Sequence, residues 1–299
     1  MDFLNKTKFL LKKYNVKPRK ELGQHFCIDS DLLTRIVNYA NLNSDDIVLE
    51  IGAGFGFLTG FLSKIAKKVI AVEIDPKLVK ALRSQLIEQK NITIIEDNIL
   101  KASLPYFNKI VSNLPYSIST PFMTNILKRY PEFECSVLTL QEEFVNRLQA
   151  AAVHKDYGYL SVLSYYKFTI QLLERVLKAS YYPQPEVKSN IVLIRPKTPP
   201  FQVVDENFFF NLVRALFTQR NKRLKNALEN IISKRLEIKK REARLLINDC
   251  SYLHLRVCEL RPEEFGAISN LMYELIEERG AFFKAKTLYS AHAKSAKLH

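Results

Sequence analysis

From residue 29 onward the chain alternates between two hydrophobic patterns. DIVLEI (46–51), VIAVEI (69–74), ITIIED (92–97), KIVSNL (109–114) and CSVLTL (135–140) are short, almost continuously apolar runs rich in β-branched residues. Such runs predict strands buried on both faces. Between them, apolar residues at helical spacing predict helices near 57–66, 76–89, 119–130 and 141–153. DSDLLTRIVNYA (29–40) predicts another, with Asp29 or Ser30 as N-cap. Strands of this kind, alternating with helices, predict a parallel sheet covered by helices on both faces. One more strand, NIVLIRP (190–196), follows the Pro-rich turn YYPQPEV.

RPKTPP (195–200) ends that pattern. Beyond it, ENFFFNLVRALFTQ, KRLKNALENIIS, KKREARLLIND and PEEFGAISNLMYELIEER all carry helical periodicity. The expected fold class is therefore α/β, a Rossmann-like sheet with a small C-terminal all-helical domain. The expected organisation is a basic leader (1–20), a catalytic domain (21–200), a helical domain (201–280) and an Ala/Lys-rich flexible tail (281–299).

Composition changes this picture little. The 299 residues are 47% hydrophobic and 25% charged, an ordinary globular balance. No apolar run approaches the roughly 18 residues that span a bilayer, so no membrane partner is expected. The leader lacks the long apolar stretch of a secretory signal. Four scattered cysteines, Cys27, Cys135, Cys250 and Cys258, fit neither a disulfide framework nor a zinc pattern. A cytoplasmic monomer without a metal site is expected.

Charge changes it more. The formal net charge is +14, and its location is uneven: residues 1–20 carry +6, residues 211–244 carry +8, and the remainder sums to zero. Two basic clusters suit a partner rich in phosphate, whose neutralisation releases counterions, although a solvated helix face gives the same count.

Candidate chemistry lies at the strand ends. The first strand runs into Gly52-Ala53-Gly54-Phe55-Gly56, where glycines let a ligand approach the backbone and the next helix offers unpaired N–H groups. Glu73 ends the second strand and suits a ribose; Asp97 ends the third and suits an exocyclic amine such as adenine N6. The loop EIGAGFG has an acid, Glu50, before its first glycine and no basic residue to meet a pyrophosphate. S-adenosyl-L-methionine is thus a better expectation than NAD. The fourth strand ends in Asn113-Leu114-Pro115-Tyr116. The Asn113 side-chain oxygen and the Leu114 carbonyl can accept both N–H bonds of an adenine amine and free its delocalised lone pair. Pro115 stiffens the turn, and the Tyr116 ring can stack on an extruded base.

These motifs, in this order, resemble the small-subunit ribosomal RNA adenine dimethyltransferase family (KsgA-type, with its archaeal and eukaryotic counterparts) over roughly residues 15–270. LGQHFCID (22–29), YYPQPEVKSNIVLIRP (181–196) and ALFTQRNKRLKNAL (215–228) extend the resemblance. It implies that Gln24, His25, Cys27, Gly52, Gly54, Glu73, Ile74, Asp97, Asn98 and Asn113 contact the cofactor. It implies that Asn113, Leu114, Pro115 and Tyr116 hold the target base, with Tyr181, where the family commonly has Phe, as a second aromatic wall. Arg220, Lys222, Arg223 and Lys225 are implied to bind RNA. His25 and Cys27 stand where the family usually has Asn and Leu. The implied reaction is dimethylation of N6 on two adjacent adenosines in a 3′-terminal hairpin of small-subunit rRNA, with the pre-small ribosomal subunit as partner. Three other readings compete. A large-subunit resistance methyltransferase fits the basic 211–244 segment and PQPEV less well. A DNA adenine methyltransferase usually carries a second proline where Leu114 stands. A non-catalytic assembly factor has no need of intact Asn113 and Tyr116.

Overall fold

A computed structural model describes residues 2–126 and 132–276. The end of the helix expected over 119–130 and the whole tail expected over 281–299 lie outside the described residues. Strands β1 (Phe26–Cys27), β2 (Ile47–Ile51), β3 (Lys68–Glu73), β4 (Ile92–Glu96), β5 (Lys109–Ser112), β6 (Cys135–Gln141), β7 (Phe168–Val176), β8 (Tyr181–Tyr182) and β9 (Ser189–Pro196) form two sheets. The larger has the order β4-β3-β2-β5-β6-β9-β7. Its first five strands are parallel, whereas β9 runs antiparallel to β6 and β7 antiparallel to β9. The Rossmann-like sheet is therefore mixed rather than wholly parallel. Strand order reverses beside β2, the place where open α/β sheets bind ligands at their carboxyl edge.

The apolar runs predicted as strands supply the core. Val48, Leu49, Val69, Ile70, Ile110, Val111, Val137 and Leu138 are completely buried. The opposite edge of the sheet is tied by an ion pair, Lys109 Nζ to Asp46 Oδ2 at 3.0 Å, both side chains buried. Helix α1 (Phe3–Lys13) forms part of the basic leader. Asp2 caps it, Phe3 stacks on Phe57 with ring centroids 4.6 Å apart, and Leu10 packs with Phe26, Phe55 and Leu78. Helix α2 (Ser30–Tyr39) has Asp29 as its N-cap, and α3 (Phe57–Leu62) and α4 (Pro76–Gln85) follow β2 and β3.

The chain divides into two compact units, residues 1–148 with 167–197 and residues 149–166 with the chain from 198 onward. Residues 149–166 group with the helical unit, whereas the sequence led to the expectation of a single division near residue 200. Tyr157, Val162, Leu163 and Tyr166 are buried in one cluster with Phe209, Phe210, Leu216, Leu228 and Phe265. The helices Glu206–Phe217, Leu224–Leu236 and Lys240–Leu246 and the helical residues 262–276 complete that unit. Arg244 clamps Glu229 within it through two hydrogen bonds of 2.7 and 3.2 Å. Among the described residues no helix is long and apolar enough to cross a membrane.

Candidate active site

The carboxyl ends of β2, β3, β4 and β5 border a cavity of about 330 Å³. Gln24, His25, Gly52, Gly54, Glu73, Ile74, Asp97, Asn98, Asn113, Leu114, Pro115 and Tyr116 all line it. Twelve residues chosen on sequence grounds are thus brought to one place.

Backbone shape comes first. Gly52 turns out of β2 with φ +71°, and a Cβ there would lie 2.6 Å from Pro115 Cγ. Only glycine lets the loop pass beneath the Asn-Leu-Pro-Tyr turn. Gly23 plays the same part on the other side: φ is +62°, and a Cβ would sit 2.9 Å from the Tyr116 nitrogen.

Glu73 is buried and accepts three backbone N–H bonds, from Gly54 at 2.9 Å on Oε2 and from Ile74 and Asp75 at 2.9 and 3.0 Å on Oε1. Burial raises its pKa against the pull of those donors. Oε2 keeps a lone pair for a ligand hydroxyl. Asp97 is exposed at the rim, its Oδ1 fixed by the Asn98 N–H at 2.6 Å. The Asn98 side chain in turn accepts from the Leu100 N–H at 3.0 Å.

Gln24 works in two directions. Its backbone segment lines the cavity, while its side chain accepts from the Arg19 N–H at 2.9 Å and donates to Asp75 at 3.3 Å. Arg19 also reaches Asp75, at 2.6 Å, and that guanidinium holds the carboxyl of Asp75 below its usual range although burial pushes the other way. Asp75, overlooked in the sequence, therefore latches residues 19–24 to the end of β3. His25 donates from Nδ1 to the Pro183 carbonyl at 2.7 Å, and its ring lies 5.6 Å from that of Tyr116. The Tyr116 hydroxyl is paired with Ser189 Oγ at 2.5 Å.

Outside this cavity, a groove of about 550 Å³ shares His25, Tyr116 and Ser117 with it and continues over Gln141, Pro183, Gln184 and Pro185. Behind the glycine turn a third space of about 50 Å³ is lined by Cys27, Glu50, Gly52, Gly54 and Asn113. Glu50 is another residue the sequence reading left out of the site. Complete burial pushes its carboxyl up to about 8, and its Oε2 has no hydrogen-bond partner among the described residues.

Three expected assignments change. Cys27 does not line the main cavity: β1 pairs with β8, which turns the thiol inward toward the Asp29 carbonyl, 3.6 Å away. Burial pushes that thiol up to about 12, so it stays protonated. Tyr181 is not an open wall for a base. Its ring is 1% exposed, paired opposite Cys27, and its hydroxyl donates to Asn113 Oδ1 at 3.2 Å. In the helical unit, Arg220 donates to the backbone carbonyls of Lys155 at 2.7 Å and His154 at 3.3 Å, so its guanidinium braces a loop. Lys222 and Arg223 are exposed and Lys225 half-buried; no carboxylate pairs with Lys222 or Arg223 among the described residues.

The donor set suits a nucleoside carrying an amino-acid tail. Glu73 and Asp97 offer acceptors at adjacent strand ends, the glycine turn offers close backbone approach, and Glu50 holds an unpartnered buried oxygen behind it. Known proteins agree. Residues 15–255 match the family described as "Ribosomal RNA adenine dimethylase". A Methanosarcina acetivorans protein named "Probable ribosomal RNA small subunit methyltransferase A" is 41% identical over 268 residues, 89% of this chain and 97% of its own length. A Pyrococcus abyssi protein of the same name is 36% identical over 267 residues, 89% and 96% respectively. Among solved structures, a dimethyladenosine transferase from Plasmodium falciparum superposes with TM-score 0.71 at 26% identity, over 86% of this chain and 98% of its own. The 23S rRNA methyltransferase ErmE gives 0.58 at 26% identity, over 83% and 98%. Strand ends, turn and helical unit together place this chain in the ribosomal RNA adenine dimethylase family, as an S-adenosyl-L-methionine-dependent enzyme.

Proposed function

We propose that this protein dimethylates N6 of two adjacent adenosines in a 3′-terminal hairpin of small-subunit rRNA, acting in small-subunit biogenesis as a cytoplasmic monomer. The observation that carries the reading is the Asn-Leu-Pro-Tyr turn, set where the strand-end cavity meets the outer groove. When bound, S-adenosyl-L-methionine supplies an electrophilic methyl group on a sulfonium. Glu73 would take its ribose, Asp97 its adenine amine, and the Gly52–Gly54 turn its amino-acid end.

The chain's own residues prepare the acceptor. Asn113 Oδ1 accepts one hydrogen bond, from Tyr181, and has a second lone pair to offer an amine N–H. With the Leu114 carbonyl it can hold both amine protons and turn the nitrogen lone pair outward. Tyr116, steadied by Ser189, presents its ring to the groove through which an extruded base arrives. As the nitrogen lone pair forms the N–CH3 bond, the methyl–sulfur bond would break to leave a neutral thioether, and the cationic amine held by these acceptors would pass its proton to solvent. The names of the relatives at 36–41% identity favour the small subunit over the large one. Lys222 and Arg223, exposed in the helical unit and without a carboxylate partner among the described residues, supply phosphate contacts.

The test is direct. Protein incubated with methyl-labelled cofactor and unmethylated small subunits should yield N6,N6-dimethyladenosine on hydrolysis. Label confined to large-subunit RNA or to DNA overturns the reading.

A further inference from the structure

Resting on that reading, we propose that Tyr181, where the family commonly has Phe, is in this chain a positioning residue whose buried hydroxyl fixes the orientation of the Asn113 amide during methyl transfer. Two contacts clamp that amide. Its Nδ2 donates to the His25 carbonyl at 3.3 Å, and its Oδ1 accepts from Tyr181 at 3.2 Å. A carbonyl only accepts, so His25 decides which end is NH2. Tyr181 then holds the oxygen end. The ring is buried in a cluster with Cys27, Leu33, Val137 and Ile191, and a phenol at 1% exposure needs an acceptor. A buried donor without an acceptor is destabilising, which favours the contact with Asn113 Oδ1, while the Thr139 hydroxyl bonds the phenol oxygen from another side. Burial also raises the Tyr181 pKa well above its ordinary value, so the hydroxyl remains a donor.

The ribbon supplies the geometry. Phe26 pairs with Tyr182 and Cys27 with Tyr181, so one two-residue ladder carries both halves of the clamp: His25 immediately precedes it, and Tyr181 lies within it. Rotated by half a turn, the amide would aim N–H donors at an amine that also donates. Anchored as it is, Oδ1 has one lone pair committed and one directed to the substrate. The demand is greatest in the second transfer, when the monomethylated amine has a single N–H left to be held.

Tyr181→Phe keeps the ring and removes only the hydroxyl. In single turnover on unmethylated small subunits we expect the rate to fall about 5–10-fold. Dissociation constants for cofactor and RNA should stay within twofold, and the monomethyl fraction of product should rise. A rate within twofold of wild type with an unchanged product ratio overturns the proposal. So does a loss of cofactor affinity equal to the loss of rate, which marks Tyr181 as packing alone. A second measurement needs no substrate: exchange of the Asn113 side-chain amide protons, read by NMR on asparagine-labelled protein, should accelerate in Tyr181→Phe, and unchanged exchange overturns the proposal. Should wild-type protein label large-subunit RNA or DNA instead, the small-subunit reading fails, and the Tyr181→Phe comparison is made on the RNA or DNA that is labelled.

Discussion

The inner cavity and the outer groove share residues 23–25 and 116–117, but the rest of each is built by different means. The inner one is mostly backbone: a glycine turn, three N–H groups on Glu73 and the Asn-Leu-Pro-Tyr turn, all set by strands that end side by side. The outer one is assembled from segments distant in sequence, residues 23–25, 116–117, 141 and 183–187, joined by side-chain bonds and one short ladder. A surface made of adjacent strand ends holds its shape once the sheet forms. A surface made of distant segments changes when one bond among them is cut. Cofactor binding should therefore resist substitutions in the groove, whereas base handling should not.

The residue at the junction gives the largest test. Asn113→Ala should lower turnover about 10²–10³-fold while cofactor affinity, measured by calorimetry, persists, because an acceptor at the reacting amine is lost. Retained turnover would remove the chemical basis of the comparison. Tyr116→Ala, on the groove side, should weaken productive RNA use about 10–100-fold by loss of a stacking surface, again with cofactor affinity kept. Gly52→Ala reverses that split. It forces a side chain into positive φ and against Pro115, a strain of about 1–2 kcal/mol that should cost cofactor affinity roughly 10-fold before it touches RNA binding. Lys222→Ala with Arg223→Ala, in the helical unit, should reduce RNA affinity a few-fold and flatten its salt dependence; an unaltered salt slope counts against phosphate contacts there.

The last test reads stability rather than turnover, and it belongs to Glu50. Its folded pKa, about 8, lies above the ordinary value of 4.5, so the folded protein keeps a proton that the unfolded chain has released. Stability is therefore fully present below about pH 4.5 and declines as pH rises toward 8. Glu50→Gln should melt higher than wild type at pH 8 in the absence of cofactor, with the gap closing by pH 5. Equal melting at both values would show that the carboxyl finds a partner.

Why some of this was visible in the sequence follows from the same contrast. Glu73, Asp97 and Asn113 stand at the ends of strands whose apolar runs are unmistakable, and a parallel sheet must bring those ends to one edge. Strand β7 gave no such signal. It is an edge strand, FTIQLLERV, with exposed and half-buried positions along most of its length, and neither a continuous apolar run nor a clean alternation marks it. The inward turn of Tyr181 and Cys27 depends on the β1–β8 ladder, which joins residues more than 150 positions apart and leaves no local trace. The resemblance implies that Arg220 binds RNA, but what its guanidinium does is decided by two carbonyls on the 149–166 segment.

The placement of that segment bears on the order of synthesis. The helix Tyr159–Lys167 is made well before the residues that cover it, with Tyr157, Val162 and Tyr166 awaiting Phe209, Leu228 and Phe265. At about 5–20 residues per second, the interval from Tyr166 to Phe265 is roughly 5–20 s of translation. Meanwhile β6 and its antiparallel neighbour β9 lie on opposite sides of the waiting helix in the chain, so the sheet also stays unfinished until Pro196 has been made. Neither unit can be completed before the other has begun, so both stay uncovered on the growing chain until residues 189–196 and 209–265 have followed.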